Sequence, residues 1–391
     1  MGIFSSKKEK SELTLVFDIG SSSVGGAIFL TEKSGVPKII YSVRESIPLE
    51  NKIDFDRFLS STVLSLETVA SQICLKGLGA PKKIFCILSS PWYASQIRVI
   101  HLEKNTSFTF NSKLADNLIQ NEIKLFEEEV LLKNKHAHNK LRPIEFKNMK
   151  TLLNGYAVSN PLNQKTKELE MNIFISMSPE QVLLKMEEAI GRHFNSKNIK
   201  FCSFGMASFA MARDMFSHQD DFILVDIGGE VTDMSMVKKD ILFTSSSFPH
   251  GRNFIIRGVA ATLDISLGEA KSFISLYKDG HASDSVKKKL DSVVNKLKAE
   301  WLKNFQECLA DISKGSSIPV SILVTADKDL ADFFVEIIKS EQLNQYALSE
   351  TKFKITLLGT EAFHSFATFK ENVVRDSFLA LESVYTNRFF S

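Results

Sequence analysis

Two segments about 200 residues apart carry one chemical pattern, Leu15-Val-Phe-Asp-Ile-Gly-Ser-Ser-Ser-Val-Gly25 and Phe222-Ile-Leu-Val-Asp-Ile-Gly-Gly-Glu-Val-Thr-Asp233. In each, an apolar strand delivers an aspartate, Asp18 or Asp226, to its own C-terminal end. A glycine then turns the chain and bares main-chain N–H groups that no side chain covers. Two such turns facing each other can grip a polyphosphate. The two aspartates would then hold a hydrated Mg²⁺, an ion that prefers one or two carboxylates plus waters and phosphate oxygens to an all-protein cage. Either segment alone reads as a strand followed by a glycine turn, a far commoner feature than a phosphate site. The repetition is what points to a nucleotide cleft between two lobes.

The rest of the chain bounds what such a cleft can belong to. With 391 residues and 44% apolar content there is material for two or three domains with real cores. A formal charge of +2, with lysines scattered among acids, gives no general nucleic-acid surface. Cys74, Cys86, Cys202 and Cys308 are isolated in apolar contexts, which predicts buried, reduced thiols and excludes a metal knuckle or disulfide framework. His136 and His138, the one close histidine pair, sit in a Lys/Asn-rich stretch and read as solvated loop residues. No apolar run reaches the ~18 residues of a membrane span, and the first residues lack a signal-peptide core, so a cytoplasmic protein is expected. Residues 1–11 read as a tail whose Ile3, Phe4 and lysines could touch an anionic membrane surface peripherally.

The elements that must position the two aspartates follow from periodicity. Thr14 to Phe17, Gly26 to Leu30 and Lys38 to Val43 form an antiparallel meander. Phe55 to Leu75 has apolar residues at helical spacing and leads into the apolar strand Ile84 to Ser89. Between 83 and 178 the pattern becomes a compact α+β unit: strands, a helix from Asn111 to Leu132 with Leu114, Leu118, Ile119, Ile123, Phe126 and Val130 on one face, then strands Ile144 to Val158 and Leu169 to Ser176. Pro179 to Phe194 and the small-residue stretch Met206 to Met215 are helices, the second suited to close packing under a cleft. Past the second turn come a hairpin (234–245), a helix of about 25 residues carrying Leu290 to Ile312, a strand at 320–324, a helix at 328–339, a strand at 352–358 and a closing amphipathic segment, Asn372 to Phe390. The predicted organisation is a tail (1–11), a first lobe (12–82), an insertion (83–178), completing first-lobe helices (179–220) and a second lobe (221–391) with a helical subdomain at about 263–315.

The paired turns resemble the phosphate-binding segments of the superfamily that contains actin, sugar kinases and heat-shock chaperone ATPases. The insertion in the first lobe resembles the one peculiar to the bacterial cell-division protein FtsA and the type IV pilus protein PilM. Asn154-Gly-Tyr-Ala-Val-Ser-Asn-Pro-Leu-Asn163 and Lys167-Glu-Leu-Glu-Met resemble the FtsA stretch, whereas the short Phe- and Lys-bearing head resembles PilM. The resemblance implies a two-lobed α/β actin-like (ribonuclease H-like) fold with an SHS2-type insertion. It assigns Gly20, Ser21 and Ser22 to the first phosphate turn, Gly228, Gly229 and Thr232 to the second, and Asp18 and Asp226 to Mg²⁺ through water.

The chain departs from that pattern in three places. A Gly-Gly pair after proline is replaced by Pro249-His-Gly-Arg252, a Glu-Ala-Glu-x-x-Lys segment by Glu269-Ala-Lys-Ser-Phe-Ile274, and the Gly-Gly on which adenosine lies by Ala326-Asp327. Side chains at positions that need close backbone approach fill the space of a purine, so ATP binding is expected to be weakened or lost, with at most slow turnover. The function implied is an FtsA-like adaptor that docks division proteins at the inner membrane and self-associates into filaments. The alternatives are a PilM-like platform that captures a peptide of a pilus membrane protein beside the insertion, and, further off, a small-molecule kinase on the same scaffold.

Overall fold

A computed structural model describes residues 12–32, 34–133, 140–195, 198–281, 283–313, 315–340 and 353–390. The expected tail and the His136/His138 pair lie outside the described residues. Two sheets repeat one topology. In the first, β1 (Leu13–Ile19), β2 (Ser23–Thr31) and β3 (Pro37–Ser46) form the expected meander, and β1 also pairs in parallel with β4 (Lys83–Leu88), which pairs with β9 (Ile199–Ser203). In the second, β10 (Phe222–Ile227), β11 (Thr232–Lys238) and β12 (Ile241–Phe248) form the meander, and β10 pairs in parallel with β13 (Ser321–Ala326), which pairs with β14 (Lys354–Leu357). The duplicated motif is thus the central strand and first turn of a duplicated lobe.

Helices cover each sheet on both faces, as parallel strands require. On the outside of the first sheet lie α1 (Phe55–Leu75) and α3 (Glu180–Gly191), joined to it by a core that includes Leu15, Phe17, Leu66, Val69 and Met186. Asp54 caps α1 by accepting a hydrogen bond from the Arg57 amide at 3.0 Å. By length and composition α1 could cross a membrane, contrary to the expectation that no run is long enough. Its buried stripe from Leu59 to Ile73 on the sheet accounts for that composition. Outside the second sheet, α5 (Arg252–Leu263), α6 (Leu267–Lys278), α7 (Asp284–Ser313) and α8 (Ala331–Ser340) build another core around Trp301, Phe305 and Phe334.

Between the sheets lie α4 (Phe204–Met215) and α9 (Ser377–Phe390), in a cluster that takes Val16 and Phe29 from one lobe and Phe222, Leu224 and Leu323 from the other. Ala207, Ala210 and Ala212 of α4 are buried there, so small residues let the two sheets approach. The closing segment therefore departs from the predicted second lobe. A short strand β15 (Thr368–Phe369) pairs with β3, and Leu379–Asn387 of α9 is buried throughout, because both sheets contribute apolar surface to it.

The insertion also begins later than predicted. Strand 83–88 is central in the first sheet, and the separate sheet, ordered β5-β8-β6-β7, starts with β5 (Ala94–Phe110). It continues through β6 (Leu141–Leu153), β7 (Tyr156–Ala157) and β8 (Gln164–Pro179). The single strand expected from Ile144 to Val158 folds back at Asn154 and Gly155, whose φ values of 49° and 80° make a tight turn. Helix α2 (Ser112–Lys133) packs its predicted stripe on one face of this sheet. Glu145 pins the insertion to the first lobe: buried, it accepts hydrogen bonds from the Tyr385 hydroxyl, Ser203 Oγ (2.8 Å) and Ser203 N (3.2 Å). Of the four cysteines, Cys74 is exposed, against expectation, because it falls on the solvent side of α1; the other three are buried.

Candidate nucleotide cleft

Both aspartates sit where the sequence puts them, and both turns meet at the lobe interface. Their partners differ from those expected. Asp18, Gly25 and Arg44 form a row across β1, β2 and β3, with side chains on one face. Gly25 carries nothing in the middle of that row, and a Cβ there would lie 2.8 Å from a guanidinium nitrogen of Arg44. Arg44 therefore crosses over it, with Nη2 2.7 Å from Asp18 Oδ2, Nε 2.6 Å from Asp376 Oδ2 and Nη1 2.9 Å from Ser23 Oγ. Asp18 is buried, and burial raises its carboxyl against the opposing pull of Arg44. Fully buried Glu382, from α9, lies beside it; burial and then the Asp18 charge push its carboxyl well above the usual range. Thus a fixed guanidinium stands against the carboxylate that was expected to face a hydrated metal.

On the other side, Asp233, Asp226 and Thr325 form the matching row across β11, β10 and β13. Thr325 Oγ1 donates to Asp226 Oδ1 at 2.7 Å. Burial, and next the neighbouring Asp233, push the Asp226 carboxyl well above its ordinary range. Burial likewise moves Asp233 to about 6, while Ser90 Oγ, from the loop after β4 in the first lobe, donates to it at 2.9 Å.

The turns themselves are pressed together. A Cβ on Gly229 would lie 2.7 Å from Ser21 C, Ser21 O and Ser22 N, so the second turn rests directly on the first. Ser21 Oγ accepts from the Glu230 amide at 3.0 Å. The carbonyls of Gly228 and Gly229 accept from the amides of Arg252 and Asn253, each at 2.9 Å, which satisfies the start of α5. Thr232 Oγ1 donates to the His250 carbonyl at 2.8 Å and is buried. Behind the turns a cavity of about 10 Å³ touches Ser21, Glu230 and Arg257, the room of one water. Of the predicted phosphate-turn residues, Gly20, Ser21, Ser22, Gly228 and Gly229 are brought together, and Thr232 is turned inward.

The three sequence departures now have structural roles. Arg252 Nη1 lies 2.8 Å from Asp327 Oδ2 and its Nη2 2.7 Å from Asp329. Ser22 Oγ, from the first turn, donates to the same Asp327 oxygen at 2.7 Å. Glu269 serves the capping box of α6: its carboxylate accepts from Ser266 N at 2.9 Å, and its amide donates back to Ser266 Oγ at 3.2 Å. Among the described residues no group of three or more His, Cys, Asp or Glu is arranged to hold a metal ion. The residues present do not fit Mg-ATP: Asp18 is ion-paired to Arg44, Asp226 accepts from Thr325, and the turns leave no phosphate-sized gap between Gly229 and Ser21.

Sequence reasoning found the two strands and turns but missed Arg44, Asp376 and Glu382. Arg252 and Asp327 were seen only as losses. Their signal was the sign of the replacements, since one glycine position gained an arginine and another an aspartate. A second concavity, of about 320 Å³, opens beside the insertion and is lined by Ser90, Tyr93 and Ser95 on one side and by Asp233, Ser245 and Ser247 on the other.

No family model matches the sequence. No curated protein matches it either. Solved structures do resemble it. A PilM-PilN type IV pilus biogenesis complex matches with a TM-score of 0.58 and 12% identity, over 96% of this chain and 98% of that one. The ethanolamine utilization protein EutJ from Carboxydothermus hydrogenoformans matches at 0.40 and 10%, over 95% and 89%. A Bacteroides thetaiotaomicron protein with an actin-like ATPase fold matches at 0.38 and 9%, over 96% of each chain. The chain has the two-lobed actin-like ATPase fold, in an arrangement that resembles PilM from end to end.

Proposed function

We propose that this protein is a PilM-like assembly platform that works on the cytoplasmic face of a bacterial inner membrane and holds a segment of a pilus-type membrane protein. The observation that carries the reading is the whole-chain likeness to the PilM chain of a PilM-PilN complex, which spans the insertion as well as both lobes. It favours the pilus branch over the division branch. A scaffold role also suits a cleft whose acidic residues are already paired inside the protein.

The docking position in this reading is the groove beside the insertion, where Asp233 and several serines line about 320 Å³. Cytoplasmic segments next to membrane spans are enriched in Lys and Arg. A hydroxyl-lined groove with a carboxyl at its wall complements such a segment. Deleting the gene tests the proposal. Loss of surface fibres in cells of normal length is the expected outcome, with complementation by the intact gene. Long undivided cells that keep their fibres would return the protein to the division branch.

A further inference from the structure

We propose that Asp327 is a built-in replacement for the anionic ligand of this fold: its carboxylate occupies an oxyanion site between the lobes and holds them closed without nucleotide. The site is built from both halves. Ser22 Oγ, from the first turn, donates to Asp327 Oδ2 at 2.7 Å, and Arg252 Nη1, from the start of α5, approaches the same oxygen at 2.8 Å. A hydroxyl on a glycine-containing turn and a guanidinium are a donor set that takes a phosphate oxygen equally well. Asp327 follows directly on β13, the strand that pairs with β10, so the carboxylate comes from the second lobe's own sheet to meet the first lobe's turn.

Two further observations agree. Burial alone would raise this carboxyl, yet Arg252, the Ser22 hydroxyl and the more distant Arg44 prevail and hold it below its ordinary value, so the site favours a full negative charge. Arg252 Nε is buried without an acceptor. With Nη1 on Asp327 and Nη2 on Asp329, the two carboxylates leave one donor of this guanidinium unused. Contact between Gly229 and the Ser21–Ser22 backbone follows from the same substitution, because a bound carboxylate is smaller than a phosphate and lets the turns close on each other.

The test is calorimetric titration of the intact chain and of Asp327→Gly with pyrophosphate and, separately, with Mg-ATP. The wild-type chain is expected to bind neither. The variant is expected to bind pyrophosphate at least about tenfold more tightly, a gain that a second substitution, Arg252→Ala, removes. Asp327→Asn, which keeps the shape and loses the charge, should gain in the same direction. If either variant unfolds, about 10 mM pyrophosphate must restore its folding where sodium chloride of equal ionic strength does not. Wild-type binding of Mg-ATP with Asp327 in place overturns the proposal, as does a folded Asp327→Gly chain with no gain for pyrophosphate, or an unfolded one that pyrophosphate fails to rescue.

Discussion

The two acidic hairpins carry the same motif and answer the same burial of their aspartates with different partners. Asp18 looks across a bare glycine to Arg44, which also binds Asp376, so the first lobe neutralises its acids with a fixed cation. Asp226 looks at Asp233 on one side and Thr325 on the other, so the second lobe gives its acid a hydroxyl and leaves burial to favour the proton. The residue opposite the aspartate decides between these: glycine at position 25 admits an arginine from the next strand, and Asp233 repels charge. One ligand holding both aspartates would erase this asymmetry. Each aspartate is held by a partner from its own sheet, while Ser90 and Ser22 tie the lobes together across the cleft.

The comparison is broken most severely by removing the arginine. Arg44→Met leaves the buried Asp18 and the partly buried Asp376 with no counter-charge, and breaking a buried pair from one side costs about 3–5 kcal/mol. Denaturant unfolding of the two chains measures it. A cost under about 1 kcal/mol, the range of an exposed pair, would mean that Arg44 does not neutralise this site.

Next comes the contact between the turns. Ser22→Ala removes a hydroxyl bound to the charged Asp327, and such bonds contribute about 1.5–3 kcal/mol. Gly229→Ala places a methyl 2.7 Å from three backbone atoms of Ser21 and Ser22, which cannot move as a flexible side chain can. Overpacking of this kind costs about 1–3 kcal/mol, and faster amide exchange at Ser21 and Ser22 should accompany it. Unchanged stability and exchange in Gly229→Ala would mean that the lobes do not close on one another. The same substitution at Gly268, where a Cβ meets no neighbour within 4 Å, is the control.

The sequence made the duplicated lobe legible because strand, aspartate and turn are contiguous in each copy: Leu15 to Ser22 and Ile223 to Gly229 carry their own geometry. Helices were legible where one face is apolar, as in α1, α2 and α7. Boundaries failed where partner choice decides. Strand 83–88 is as apolar as an insertion strand, and only its pairing with β1 and β9 places it in the first lobe. The same holds for α9, whose burial on all sides follows from a second sheet that no local pattern in residues 372–390 reveals. At the site, the backbone turns were readable and the side chains filling them were not. Arg44 lies 26 residues from Asp18 and Asp376 332 residues from Arg44, so their meeting is a property of sheet register and of the returning chain.

The smallest effect is also the sharpest contrast between the hairpins. Asp226→Asn keeps the acceptor that Thr325 uses and removes a group that burial and Asp233 already disfavour as an anion. An acid whose folded-state value lies above its ordinary value of 3.8 contributes stability below that value and loses it as pH rises through the folded one, because the native state then holds the extra proton. The wild-type chain should therefore lose stability as pH climbs from about 4, through the titration of Asp233 near 6 and on into that of Asp226. In Asp226→Asn the decline should flatten, both from the lost proton and from the relief of Asp233, and at neutral pH the variant should match or slightly exceed the wild type. Burial raises the Asp18 carboxyl too, but Asp18→Asn also strips Arg44 of a charged partner at 2.7 Å, so at neutral pH this variant should be less stable than the wild type in the same melts. Equal stabilities of the two variants at neutral pH would show that Arg44 makes no difference to its aspartate, and the asymmetry between the lobes would disappear.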